Sequence, residues 1–250
     1  MRYAVSLTSI PPRLHRLAPV LASLAGQDPA PECILLSLPR RYRRFPDAVD
    51  QTLAFPGVDV LWSAQDHGPA TKALVAARHL MHRTLKLIYC DDDWLYSPGW
   101  AAALLDGSER CATTGQAWDL ARIGRTGAGC DIAQGFSGVC ITPSWLAGAH
   151  AMPPEPARDA DDVWLSGVLA FNGIEVRAVS SARAAMRPAY EDTHGLQDAN
   201  GAGQTRDIAN RAAAQAIHDR FGIWPVANQE PPGPHEDICR NSVPPGPARR

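Results

Sequence analysis

Apolar and polar positions alternate along the chain with two recognisable periods. Tyr3 to Thr8 alternates in the manner of a strand and ends at the polar turn Thr8-Ser9-Ile10-Pro11-Pro12-Arg13. Leu14, Leu17, Leu21 and Leu24 then recur at three and four, which predicts a helix that stops at Gly26; Pro19, inside that pattern, must kink the helix or mark where its regular part begins. Cys33 to Leu38 and Val58 to Trp62 read as buried strands, the first closed by Pro39 and the second opened by the turn Pro56-Gly57. The polar loop Gln65 to Lys72 leads into a helix through Leu74, Val75, Arg78 and Met81. The apolar run Thr84 to Cys90 follows and stops at Asp91-Asp92-Asp93. Strand, helix, strand, strand, helix, strand, with crossovers of this length, predicts an α/β fold with a parallel or mixed sheet covered by helices on both faces.

Beyond the acids, Ser97-Pro98-Gly99-Trp100 opens a helix through Leu104 and Leu105, and Arg110 to Trp118 reads as a strand. Gly124 to Gly138 is a glycine-rich loop, Val139 to Thr142 a short strand, and Pro143 the start of a brief helix. Pro153-Pro154-Glu155-Pro156 breaks the chain before Asp161-Asp162. The next helix carries Trp164, Leu165, Val168 and Leu169 and is capped by Asn172-Gly173. Ile174 to Val179 reads as the final strand. Tyr190 to Gln204 is a polar loop, and Arg206 to Phe221 a last helix with Ile208, Ala212, Ala216 and Ile217 on one face. Residues 225–250 are proline-rich and read as an extended tail.

Composition narrows the function classes. An apolar fraction of 45% with 20% charged residues is that of an ordinary globular protein, and 250 residues suit one large α/β domain, spanning 1–224 ahead of the tail. A net charge of -2 gives no general reason to bind nucleic acid or an anionic membrane; the run Arg40-Arg41-Tyr42-Arg43-Arg44 is the local exception. The six cysteines form no CxxC pair and read as small, mostly buried hydrophobes of a reducing compartment. The first residues do not make a signal peptide, and no run approaches the roughly 20 apolar residues of a membrane span, so a cytoplasmic protein is expected, one able to act on substrates at a membrane surface.

Three adjacent carboxylates repel one another unless a cation or several donors compensate them, and an oxygen-only cluster at a strand's carboxyl end suits Mg²⁺ or Mn²⁺ as well as it suits a solvated turn. Asp161-Asp162 sits where aspartate caps helices; once one of the pair caps, the other is left as a workable general base. His194 lies in a polar segment, either as an exposed side chain or as a late metal or diphosphate ligand. Lys72 and Arg13 follow turns after strands, where a cation reaches phosphate or a nucleobase as readily as it reaches solvent.

In order and spacing, four pieces resemble glycosyltransferases of the GT-A fold, in particular the family-2-like bacterial group: Val5 to Arg13, Asp66-His67-Gly68-Pro69-Ala70-Thr71-Lys72, Ile88 to Tyr96 with its Asp-x-Asp, and Asp161 to Gly167. The resemblance implies a Rossmann-like domain with a mostly parallel sheet, a nucleotide-sugar-binding half over 1–96 and an acceptor half over 97–224. It implies transfer of a sugar from a nucleotide-diphosphate-sugar donor to a glycan, lipid-linked glycan or other hydroxyl acceptor, inverting and dependent on a divalent metal. Thr8 and Arg13 would lie near the nucleoside, Asp66 near base or ribose, and Lys72 near diphosphate or sugar. Asp91 or Asp92 would face ribose or sugar, and Asp93 would hold the metal, with Asp91 and His194 as further ligands. The downstream pair reads Glu-Asp in such enzymes and Asp-Asp here, which makes Asp162 the base and Asp161 its reserve. The alternatives are a catalytically inactive sugar-nucleotide or glycan-binding domain, which would lose the carboxylates, and a nucleotidyltransferase, which would carry a glycine-rich basic loop that Thr8-Ser9-Ile10-Pro11-Pro12 is not.

Overall fold

The computed structural model describes residues 1–46, 51–129, 131–190 and 206–227. The first half follows the predicted order: β1 (Tyr3–Leu7), α1 (Ala18–Ala25), β2 (Cys33–Pro39), β3 (Val58–Ser63), α2 (Thr71–Leu80) and β4 (Lys86–Cys90). After the acids come β5 (Trp94–Tyr96), α3 (Trp100–Leu105), β6 (Ala112–Thr114), β7 (Ala117–Trp118), β8 (Ile132–Ala133) and β9 (Val139–Ile141). The chain continues with α4 (Asp161–Phe171), β10 (Val176–Ala178), α5 (Ser180–Ala184), β11 (Met186–Pro188) and α6 (Arg206–Phe221). The central sheet runs β10-β6-β9-β4-β1-β2-β3 and is parallel except for β9, which is antiparallel to both neighbours.

Side-chain alternation along the central strands makes two cores. Tyr3, Val5 and Leu7 of β1, with Ile88 and Cys90 of β4, pack on the side of Leu17, Leu24, Trp100 and Leu104, beneath α1 and α3. Ala4, Leu87 and Tyr89 point the other way, toward Ala73, Leu74 and Ala77 of α2 and Val163, Trp164 and Ile217 of α4 and α6. Each large aliphatic side chain taken fully out of water here contributes roughly 1.5–3 kcal/mol. Because helices cover both faces, β1 and β4 are buried at every position; that suits the apolar run of β4, whereas β1, which alternates in sequence, keeps no exposed face.

Several local expectations change. Leu14 lies in a 3-10 turn, Pro11–Arg16, and α1 begins only at Ala18; Pro19, in its first turn, gives up an N–H that has no intrahelical partner there. Arg110 to Trp118 is not one strand: β6 ends at Thr114, and Ala117–Trp118 pairs with β8 in a separate ribbon, so the glycine-rich stretch holds a strand as well as a 3-10 turn. Ile174 to Val179 shortens to β10 and is not the last strand, since β11 pairs with β5. On α2 the buried face is Ala73, Leu74, Ala76, Ala77 and Leu80, with Arg78 and Met81 outside; on α6 it is Ala213, Ala214 and Ile217, with Ile208 exposed. Within the stretch expected as a tail, Thr126 donates to the Pro225 carbonyl and Ala227 to that of Gly124; its remainder, 228–250, and most of the expected polar loop, 191–204, lie outside the described residues. No helix among the described residues is long and apolar enough to cross a membrane.

Candidate active site

Strand order reverses direction at β1, since β2 lies on one side of it and β4 on the other, and the crevice at the carboxyl ends of such a pair is where open α/β sheets collect ligands. The Ser9–Arg13 turn leaves β1 there, and the three acids leave β4 beside it. Asp92 is buried, its carboxylate accepting from Ser9 Oγ and, at 2.7 Å, from Arg13 Nη1. Both of its oxygens are thus engaged, which makes Asp92 the anchor of Arg13. Arg13 also reaches Asp93, with Nη2 3.5 Å from Oδ2. The other oxygen of Asp93, Oδ1, is buried without a hydrogen-bond partner among the described residues. Burial, followed by the charges of Asp91 and Asp92, pushes the Asp93 carboxyl up to about 7.

The two acidic groups meet at one cation. Lys72, in the first turn of α2 and only 2% exposed, places Nζ 2.6 Å from Asp91 Oδ1 and 2.8 Å from Asp161 Oδ2. Burial alone would lower its ammonium, but Asp161, Asp91 and Asp162 outweigh that and hold it well above the ordinary lysine range. Neither Asp161 nor Asp162 serves as the expected cap. Both are helical, the capping position is Ala160, and no side chain caps the end, so the pair is committed to the site instead. Asp162 Oδ1 accepts from Gly135 N at 2.8 Å, and Oδ2 lies 3.8 Å from Arg206. Burial, followed by repulsion from Asp161, pushes its carboxyl up to about 7.

Gly135 closes the gap between the two groups. A Cβ there would lie 2.8 Å from Lys72 Nζ and 3.1 Å from Asp162 Oδ1, so only glycine lets the loop donate to Asp162 while clearing Lys72. Gly135→Ala is expected to displace both side chains and, by disturbing the buried Lys72 bridge, to lower the melting temperature by at least roughly 2–4 °C, the effect of about 1 kcal/mol in a chain of this size, as checked by a thermal melt beside wild type.

Sequence reasoning placed the glycine-rich loop with Gly135 close to the site but missed Ser9 and three tyrosines that hold backbone there. Tyr42 Oη donates to Ser9 O at 2.8 Å, Tyr96 Oη to Asp91 O at 3.0 Å and Tyr190 Oη to Asp92 O at 3.2 Å. Of these only Tyr96 stood in a predicted motif, at the end of the Asp-x-Asp piece; Tyr42 lay within the basic run and Tyr190 at the start of the polar loop, where nothing pointed to the site. Thr8 donates to Ser37 O at 2.7 Å, tying the ends of β1 and β2 together. Asp66 stands apart from the acids, its carboxylate accepting from Arg43 N at 2.9 Å and Gly68 N at 2.8 Å. His194 lies outside the described residues, and among those described no three metal-ligating side chains form a cluster. The orphaned Asp93 Oδ1 fits a hard cation that draws most of its shell from water and phosphate oxygens.

A mostly parallel sheet with one reversed strand, helices on both faces and acids at the switch point define the GT-A glycosyltransferase fold. The chain superposes on glucosyl-3-phosphoglycerate synthase from Mycobacterium tuberculosis, solved with Mn²⁺, UDP and glucosyl-3-phosphoglycerate, with a TM-score of 0.51 and 11% identity over 89% of this chain and 80% of that one. Weaker likenesses are to S. aureus TarS with UDP (TM-score 0.46, 14% identity, 89% and 72% covered) and to the galactosyltransferase LgtC with donor and acceptor sugar analogues (0.38, 12%, 58% of each chain). The chain thus spans little more than half the length of LgtC. No protein-family model matches the chain, and no curated protein does.

Proposed function

We propose that the protein is a glycosyltransferase of the family-2-like group, moving a sugar from a nucleotide-diphosphate-sugar donor to a hydroxyl acceptor, a glycan or lipid-linked glycan, with inversion at the anomeric carbon. The observation that carries the reading is the convergence of two acidic groups, far apart in sequence, on the buried ammonium of Lys72 beside the switch point. A solvated acidic turn or a helix cap has no use for that arrangement.

Residue types and positions fit the chemistry. As the donor ionises, negative charge grows on the departing diphosphate, and preorganised cations in a partly dry site lower that barrier most. Arg13 and Lys72 are such cations, each fixed by carboxylates before substrate arrives. Asp93, with Asp91 next to it, would hold Mn²⁺ or Mg²⁺, which when bound supplies further charge stabilisation at the diphosphate. Thr8 and Arg13 border the nucleoside side of the crevice. Asp162 takes the proton of the acceptor hydroxyl: it is the member of the pair not spent on Lys72, and its carboxyl, near 7, is basic enough to accept a proton and still ionised in a useful fraction at neutral pH. Asp161 fixes Lys72. Among the described residues the thiols of Cys90 and Cys140 are buried and those of Cys33 and Cys111 half-buried, and a cytoplasmic setting is part of the proposal.

The test is release of nucleoside diphosphate from a panel of nucleotide sugars with Mn²⁺ and simple glycan acceptors. One donor should turn over, and inversion should appear in the anomeric NMR signals of the product. Turnover with retained configuration would remove Asp162 from its role, and hydrolysis at the α-phosphate would identify a nucleotidyl-transfer site instead.

A further inference from the structure

The basic run after β2 has no part in the site above, yet it lines a cavity of its own. An open surface cleft of about 360 Å³ is lined by Arg41, Arg43, Gln65, Asp66, His67, Met152, Pro153 and Arg158. That volume lies within the usual range of small-ligand sites. Three guanidinium groups share its wall with one carboxylate, and that carboxylate, Asp66, is occupied by the backbone N–H groups of Arg43 and Gly68. Arg158 donates through Nη1 to Asp66 O at 2.7 Å, while its buried Nε has no hydrogen-bond partner among the described residues. Just outside, the exposed Glu155 places one carboxylate oxygen 2.6 Å from Arg43 Nη2 and the other 3.2 Å from Arg158 Nη2. The two forks therefore already converge on a single oxyanion. His67 is buried, and burial, followed by Arg78 and Arg158, lowers its imidazole below the ordinary range, so it brings hydrogen-bonding capacity to the wall without charge. Met152 and Pro153 give the cavity an apolar side for an organic body.

We propose that this cavity is a subsite for a phosphomonoester group carried by the acceptor, gripped by Arg43 and Arg158 with Arg41 adding charge. Planar guanidinium forks match phosphate oxygens in pairs, and three of them favour a dianion over the single charge of a carboxylate. The assignment to the acceptor rests on the glycosyl-transfer reading. The cavity adjoins the elements of the site: Arg158 precedes Asp161 and Asp162 by a few residues, and its backbone packs against Gly68, just ahead of the helix that carries Lys72.

The experiment is calorimetric titration of the full chain with glycerol 3-phosphate, and separately with UDP plus Mn²⁺, for wild type, R43Q and R158Q. The Arg43 side chain is half-exposed and its replacement is expected to leave the fold in place, so R43Q keeps the test valid should R158Q fold poorly. Wild type is expected to bind glycerol 3-phosphate, each variant to weaken it on the order of tenfold or more, and R43Q to leave UDP affinity unchanged. The proposal is overturned by no binding to wild type, by undiminished binding to R43Q, by equal affinity for glucuronate, or by parallel loss of UDP affinity in R43Q, which would give the cavity to the donor. If UDP fails to bind wild type while glycerol 3-phosphate binds and R43Q removes it, the subsite stands and glycosyl transfer is what falls.

Discussion

Asp162→Asn is expected to lower transfer by about 10²–10⁴-fold while leaving metal-dependent nucleotide binding within a factor of a few of wild type. The amide keeps the shape of the carboxylate and can still accept from Gly135 N through its carbonyl oxygen, so the 135 loop stays in place. What disappears is the capacity to take a proton. In wild type the same group sets the pH dependence. Its folded carboxyl titrates near 7, and only the ionised form acts as a base, so the rate should rise with pH through about 7 and level off above it. With metal and donor saturating, so that Asp93 stays ionised, Asp162→Asn should abolish that ascending limb along with most of the activity. Stability moves in the opposite sense. A carboxyl whose folded value lies above its unfolded 3.8 binds its proton more tightly in the folded state, so the stability it contributes is complete below about 4 and is lost as pH rises toward 7. Loss of nucleotide binding and transfer together in Asp162→Asn would mark the residue as structural.

Lys72→Met has the largest expected effect on the fold. The substitution removes the one cation that, among the described residues, bridges Asp91 and Asp161 and leaves buried carboxylate charge uncompensated; breaking a buried pair from one side costs about 3–5 kcal/mol. For a chain of this size each kcal/mol lowers the melting temperature by roughly 2–4 °C, so a drop of roughly 6–20 °C is expected in a thermal melt near neutral pH. Adding Asp161→Asn to Lys72→Met should recover a large part of that loss, because it removes the charge left stranded, and the double-mutant cycle should show coupling well above about 0.5 kcal/mol. Activity should not recover with stability, since the cation facing the diphosphate is still gone. Additive single effects would mean that the bridge between the acidic groups contributes nothing.

Much of the site was legible in the sequence because its chemistry sits where local rules place it. Asp91, Asp92 and Asp93 end an uninterrupted apolar strand; Lys72 follows a Gly-Pro turn; Asp161 and Asp162 open a strongly apolar helix. The helix Arg206–Phe221 and the first four strands were visible for the same reason, since period and punctuation agree there. The misreadings are places where tertiary contact decides. Thr113 and Trp118 sit in one β-rich stretch, but Gly115 presses against Ser137, and the chain turns from the central sheet into a ribbon whose partner, Ile132–Ala133, is hidden in glycine-rich sequence. On α6 the apolar stripe named both Ile208 and Ile217; Ile208 is exposed, while Ile217 inserts against Gly167 of α4, a contact that sequence spacing cannot reveal. The division of labour within each acidic group was equally invisible. That Asp92 is spent on Arg13 and Ser9, and Asp161 on Lys72, depends on distances between elements far apart in the chain.

The most direct measurement on the central claim is a thermal melt of the whole chain with UDP, GDP, CDP, ADP and TDP at millimolar concentration, with and without Mn²⁺. A crevice built for a nucleotide diphosphate at the β1 and β4 ends predicts that one nucleotide stabilises the protein only when Mn²⁺ is present, by about 4 kcal/mol if it binds in the micromolar range. A melting temperature unmoved by every nucleotide, with and without the metal, would contradict it.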